Sequence, residues 1–278
     1  MRPRVLFDRR RVTLKSRSQI ERMAVAGRLT AAALDAVAEA IRPGLTPLQL
    51  DAIAESIIRD GGGTPNFIGV PGHLAPFEHA TCISIDDEVV HGIPDDRVIV
   101  EGQIISVDCG AEVDGWNGDS ARTFLMGDVP EAARRLSEVT RAGMLAGVRA
   151  SVPGATLEDV AGAIEDVGTA AGYGIVRGYV GHGIGNEMHE EPQVTNYRTG
   201  RKGRKLEVGL CIAIEPMFTV GNFETRVKAD GWTVATSDGS LAAHWEHTLA
   251  VTADGPRILT LGAGEMVEGL VATAEARA

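Results

Sequence analysis

A chain of 278 residues, 44% of them hydrophobic, is long enough to bury a sizeable core as one large or two small domains. Its formal net charge of −11 argues against a general nucleic-acid surface, DNA included. No run approaches the roughly 18 apolar residues that span a bilayer, which excludes a helical membrane anchor.

The opening stretch departs from that acidic balance. Arg2, Arg4, Arg9, Arg10, Arg11, Lys15 and Arg17 make residues 1–17 a basic arm. It reads as solvated, with docking on an anionic surface such as ribosomal RNA as the functional alternative. No apolar stretch follows the arginines as it would in a secretory leader, so a cytoplasmic location is expected. Cys82, Cys109 and Cys211 are odd in number and far apart, which suits buried, reduced thiols.

Ser18-Gln19-Ile20-Glu21 has capping-box form, and Ile20, Met23, Gly27, Leu34, Val37 and Ile41 recur at helical spacing up to Pro43-Gly44. Thr46 then reads as an N-cap with Pro47 at the first helical position, opening a helix that stops at Gly61-Gly62-Gly63. Residues 64–80 are loop-like, and strands are expected at 81–85 and around Val89-Val90, followed by His91-Gly92-Ile93-Pro94. Residues 102–123 read as a β-hairpin about Asp114-Gly115. With a two-residue loop, Asp108 faces Ala121 and Asp119 lies two residues away on the same face. Two such carboxylates repel unless a cation lies between them; the alternative is that one merely caps the turn. Pro130 opens a helix to about Ala150, and Thr156 with Asp159 caps another that ends near Gly172.

The second half thus repeats the first. Pro43-Gly44-Leu45-Thr46 matches Pro153-Gly154-Ala155-Thr156, His91-Gly92-Ile93 matches His182-Gly183-Ile184, and the strand ending at Asp108 matches the strand ending at Glu215. Asp119 corresponds loosely to Glu246. Two helix-helix-strand units about a pseudo-twofold axis form an α+β architecture that brings four carboxylates to one central site. Domain bounds follow: a basic arm at 1–17, one catalytic domain at 18–262 with repeats of about 18–128 and 129–262, and a tail at 263–278.

Four converging carboxylates call for about two divalent ions, and with one imidazole, His182, the donor set suits Mn, Fe, Co or Zn. Such a pair of ions activates water and polarises a carbonyl, so hydrolysis is the expected reaction class. His91 and His189 remain for catalysis, although a lone histidine is often structural. His73, His79, His244 and His247 are left structural by default, and Trp232 is either core or cleft wall.

With these residues in hand, the chain resembles the type I methionine aminopeptidases of the pita-bread family, metallopeptidase family M24. The motifs are His91-Gly92-Ile93-Pro94, the aspartate pair in VDCGAEVDGWNGDSA, GHGIGNEMHEEP, AIEPM and HWEHT, in order from about Ser18 to Leu261. The resemblance implies Asp108, Asp119, His182, Glu215 and Glu246 as ligands of two divalent ions, Co, Mn, Fe, Zn or Ni. It implies Glu215 as general base, His91 at the scissile amide nitrogen and His189 at the oxyanion. The implied reaction removes the initiator methionine from nascent chains whose second residue is small, by a monomeric enzyme whose partners are peptide N-termini. The stretch between His189 and Glu215 is too short for the helical insertion of type II enzymes, and prolidases usually carry a further N-terminal domain.

One region departs from the family pattern. Bacterial type I enzymes usually carry a G-Y-H-G-Y-P-type segment lining the methionine pocket. Here Gly69-Val70-Pro71-Gly72-His73-Leu74 stands in its place, both tyrosines are absent, and residues 75–81 form a longer connection. Phe67, Val70, His73, Phe77 and Cys82, with Trp232, are the candidates for the remodelled pocket. The alternatives are a family M24 peptidase of altered N-terminal preference and a catalytically silent binding relative.

Overall fold

Side-chain caps set where the helices begin. In the computed structural model, which describes residues 12–265 and 267, α1 spans Arg17–Ala40 and α2 spans Pro47–Asp60. The caps of α2 and of α4 (Leu157–Ala170) are the expected capping boxes, Thr46 with Gln49 and Thr156 with Asp159. The box of α1 lies two residues earlier than expected. Ser16 caps Gln19, because both Ser-x-x-Gln and Ser-x-x-Glu fit the pattern and the first is used. Helix α3 (Glu131–Ala150) follows Pro130 as expected.

The first half continues through β1 (Thr64–Pro65), β2 (Thr81–Ile85), β3 (Glu88–Val90), β4 (Ile104–Val113) and β5 (Trp116–Leu125). After α3 and α4 come β6 (Gly174–Ile175), β7 (Gly181–Gly183), β8 (Glu190–Val194), β9 (Cys211–Ile214), β10 (Met217–Thr219) and β11 (Thr225–Val227). The chain closes with β12 (Val234–Thr236), β13 (Ala242–His244), β14 (His247–Thr252) and β15 (Gly255–Ile258).

Strand β4 pairs with β5 on one side and with β2 and β1 on the other, while the larger sheet runs β15-β14-β9-β7-β8. Each half has its own core. Leu34, Val37, Leu50, Ile58, Ile83 and Val107 pack together in the first, and Leu136, Met144, Ile164, Ile212, Phe218 and Leu249 in the second.

Hydrogen bonds between β5 and the segment from His244 at the end of β13 to Thr248 in β14 mark the pseudo-twofold axis. The hydroxyl of Thr248 donates to the carbonyl of Asp119 and accepts from its N–H. On the other side, the hydroxyl of Thr123 donates to the carbonyl of His244 and accepts from its N–H. Between them Ala121 and Glu246 exchange backbone bonds at 2.9 and 3.4 Å. Position by position, Thr123 is therefore equivalent to Thr248, and Ala121 rather than Asp119 is equivalent to Glu246.

A second correspondence also shifts. His182 lies on β7, the strand beside β9, with Gly183 opposite Ile212. The matching strand beside β4 is β2, and His91 lies outside it, at a left-handed φ of 59° after β3. The two His-Gly-Ile tripeptides are similar in sequence only.

The arm expected to be solvated from 1 to 17 is not so at its inner end. Lys15 is buried and its N–H donates to the carbonyl of Gly209 at 2.7 Å. Residues 1–11, with five of its arginines, and most of the tail expected at 263–278 lie outside the described residues. No helix among the described residues is long and apolar enough to cross a membrane.

Candidate metal and peptidase site

The first half supplies its acids from one hairpin. Asp114 and Gly115 both take positive φ, 50° and 76°, as a type I′ turn requires. The ladder then runs unbroken from Val113 opposite Trp116 to Ile104 opposite Leu125, with Asp108 opposite Ala121. Close packing fixes the hairpin's position: a Cβ on Gly118 would lie 2.7 Å from Cα of Gly27 in α1. Asp119 follows directly in sequence.

The second half supplies its acids from a break in a ladder. Ile214 pairs with His247 and Met217 with His244, so the register carries through the gap and sets Glu215 opposite Glu246. Pro216 has no N–H to donate, and only the N–H of Trp245 reaches its carbonyl, at 3.4 Å.

The four carboxyl groups and His182 meet in one cleft with about 490 Å³ of open space, which His91 and His189 also line. Nε2 of His182 is 3.5 Å from Glu215 and 3.8 Å from Asp119. Ligand atoms of Asp119, His182 and Glu246 lie within 4.8 Å of one another. Nδ1 of His182 sits 2.9 Å from the carbonyl of Gly183, which can only accept, so Nδ1 carries the proton and Nε2 presents its lone pair to the carboxylates.

Burial pushes the Asp108 carboxyl up to about 7. Burial first, then the neighbouring carboxylates, raises Asp119, Glu215 and Glu246 well above the ordinary range. Burial lowers His91 and His182 to about 4 and His189 to about 3, with smaller contributions from His189 on His91 and from His182 on His189. All three imidazoles are neutral at pH 7, the form in which histidine binds metal. Oδ1 of Asp108, Oδ1 of Asp119 and Oε1 of Glu246 are buried without a hydrogen-bond partner. A cluster of acids that repel one another around orphaned oxygens and one neutral imidazole fits divalent cations and little else.

The other end of the cleft is apolar. Of the pocket candidates, Phe67, Val70, Phe77, Cys82 and Trp232 line it, joined by Met188, which the sequence reading missed. Adjacency to His189 was the signal available for Met188. His73 is exposed and does not line the cleft. The loop closes at its neck, with Gly69 N–H donating to Phe77 O and Phe77 N–H to Val70 O, so residues 71–76 project outward and Phe77 turns in. Phe77 meets Trp232 edge-on at 5.1 Å, and the Trp232 indole N–H donates to the carbonyl of Ala75. Of the histidines left structural, His79 pairs with buried Asp51 and His247 with Thr260. His244 is buried with its Nε2 unpartnered. All three cysteines are free and buried.

The profile of metallopeptidase family M24 matches residues 21–253. The chain belongs to family M24. "Methionine aminopeptidase 1" of Mycobacterium tuberculosis is 50% identical over 265 residues, 92% of this chain and 98% of that protein. Among solved structures, the methionine aminopeptidase of Thermotoga maritima superposes with a TM-score of 0.86 at 40% identity, covering 90% of this chain and 99% of that one. That of Rickettsia prowazekii gives 0.86 at 36%, covering 90% and 100%. The α+β architecture is thus the pita-bread fold of M24, and a divalent-metal peptidase chemistry comes with the family.

Proposed function

We propose that this protein is an aminopeptidase that removes the N-terminal methionine of peptides and nascent proteins whose second residue is small. The observation that carries the reading is the shape of one cleft: a carboxylate and imidazole cluster at one end, an apolar wall at the other, and two further neutral histidines between. In this reading Asp108, Asp119, His182, Glu215 and Glu246 hold two divalent ions, drawn from Co, Mn, Fe, Zn and Ni. When bound, such ions polarise a carbonyl and acidify a water molecule at neutral pH.

The chain's own groups do the rest. Glu215 accepts the proton of the attacking water and passes it to the leaving amine. His189, kept neutral by burial, donates a hydrogen bond to the oxyanion of the tetrahedral intermediate. His91 contacts the nitrogen of the scissile amide. Phe67, Val70, Phe77, Met188 and Trp232 exclude water from an unbranched apolar side chain.

The remodelled loop supports a second reading, an M24 aminopeptidase with a different first-residue preference, because Phe77 occupies the wall. The deciding experiment is kcat/KM for metal-reconstituted protein on free-amine X-Ala-Ser tripeptides, with X as Met, Leu, Ala, Phe and Gln. Strong preference for Met supports the first reading; activity centred on another residue supports the second. In this reading the substrates are the termini of nascent chains, so the proposed site of action is the cytoplasm, with the basic residues before Val12 as the candidate ribosome contact.

A further inference from the structure

Behind the loop that carries Met188 and His189 lies a buried ion pair that the reaction as described does not use. Nζ of Lys15 is 2.6 Å from Oε2 of Glu190, with the two side chains 4% and 11% exposed. The Thr13 hydroxyl donates to the same oxygen at 2.7 Å and stands 2.8 Å from Nζ. The N–H of Glu187 reaches Oε1 of Glu190 at 3.4 Å, folding the loop around that carboxylate.

Main chain fixes the other partner. Lys15 N–H donates to Gly209 O ahead of β9, the strand that ends beside Glu215. Two glycines leave room for this strap. A Cβ on Gly185 would collide with Cε of Lys15 and with Oε1 of Glu190; one on Gly209, at φ +96°, would lie 2.6 Å from the carbonyl oxygen of Lys15. From β5, Asn117 Nδ2 donates to the carbonyls of Gly185 and Asn186, so the loop is gripped at both ends.

A charge this buried persists only when paired, and a pair this buried fixes the backbone on which it sits. Glu190 directly follows His189, so whatever holds Glu190 sets where that imidazole points. We propose that Lys15 and Glu190 are positioning residues for the peptidase reaction, clamping residues 185–190 so that His189 meets the oxyanion and Met188 closes the apolar wall. The proposal rests on the peptidase reading above. It makes the segment just before α1 a working part of the cleft rather than a solvated leader.

The test measures kcat and KM on Met-Ala-Ser for Lys15→Met, Lys15→Arg and the double variant Lys15→Met/Glu190→Gln, each with and without His189→Ala. An oxyanion contact displaced by about 1 Å costs on the order of 10- to 100-fold in rate, so Lys15→Met is expected to lower kcat by that factor and Lys15→Arg to recover most of it. In the His189→Ala background the same substitution is expected to change kcat by less than about twofold, because its route of action is gone. The double variant leaves no lone buried charge and is expected to fold with the same loss of kcat, which keeps the test alive if Lys15→Met does not fold. Unchanged kcat in a folded variant, or equal losses in both backgrounds, overturns the clamp. A parent protein that cleaves no peptide counts against the peptidase reading instead. In that event, unchanged amide hydrogen exchange over residues 185–190 in Lys15→Met overturns the clamp by itself.

Discussion

The two halves of the molecule present two carboxylates each, and they do so differently. In the first half the acids lie along an intact ladder of ten-residue strands, two positions apart, joined by a two-residue turn. In the second they face each other across a gap where Pro216 interrupts the ladder, and the strands that flank the gap are separated by a long excursion through β11 and β12. Register survives the interruption because the pairs on both sides of it agree. A duplicated unit can therefore keep its axis and its register while moving an acid by two residues: Asp119 has His244 as its equivalent, and Glu246 has Ala121.

The comparison breaks most sharply at Glu215. Glu215→Gln keeps the shape of the gap and removes the proton acceptor, and is expected to lower kcat at least ~100-fold in a folded protein. Activity near that of the parent would remove Glu215 from the mechanism.

Next in size are the two bridging threonines, which are symmetric in structure but not in consequence. Thr248→Val strips the buried N–H and carbonyl of Asp119 of their partner hydroxyl, while Thr123→Val strips the carbonyl of His244, whose N–H keeps the Ser106 hydroxyl at 3.1 Å. The losses are expected at about 1–3 kcal/mol in chemical denaturation, the larger for Thr248→Val. Only Thr248 brackets the backbone of Asp119, so only Thr248→Val is expected to weaken metal affinity as well. Equal losses of metal affinity in both variants would show that the bridges act on the site only through overall stability.

Stability against pH sharpens the contrast between carboxylates and imidazoles. A carboxyl whose pKa is raised on folding, such as Asp108 at about 7, binds more protons folded than unfolded, so its unfavourable effect grows from about pH 4 and is complete once pH passes about 7. An imidazole lowered on folding, such as His91 or His182 at about 4, contributes stability that is lost as pH falls below its ordinary 6.5. Between about pH 4 and about 6.5 the two effects oppose each other. Above that the imidazole contribution is complete, while Asp119, Glu215 and Glu246, raised well above the ordinary carboxyl range, go on adding to the unfavourable one. Metal-free protein is therefore expected to melt earlier as pH rises above about 7. Divalent metal is expected to abolish the alkaline decline, and Asp119→Asn to flatten it without metal. A melting temperature of the metal-free protein that climbs steadily to pH 9 would contradict this.

The smallest effect is expected in the pocket loop. A Cβ on Gly72 would meet the indole of Trp232 and the carbonyl of Ala75. Gly72→Ala is expected to raise KM for Met-Ala-Ser a few-fold, on the order of 1 kcal/mol, with kcat little changed. A fall in kcat alone would place the loop in the chemistry rather than the pocket.

What the sequence made legible was local. The Asp114-Gly115 turn fixes its own hairpin register, and Thr46 and Thr156 sit where their helices start, because each signal and its consequence lie within a few residues. The register across the Glu215 gap was not legible, since it depends on strands thirty residues apart. Matching His91 to His182 failed for a related reason: three shared residues say less than which strand a residue pairs with. Phe77 and His73 both lie in a Pro- and Gly-rich loop, and only the backbone bonds between Val70 and Phe77 decide that one turns in and the other out. Lys15 read as one cation among seven; its partner, Glu190, lies 175 residues away.

The most direct measurement is to strip the protein of metal and titrate it with Co²⁺ or Mn²⁺, following heat of binding and release of methionine from Met-Ala-Ser in the same samples. The expected result is no release without metal and a rate that rises with occupancy of the carboxylate cluster, both lost in Asp119→Ala. Methionine release that persists in stripped protein, or binding and activity that survive in Asp119→Ala, would contradict the claim that the two halves join their acids to make one hydrolytic metal centre.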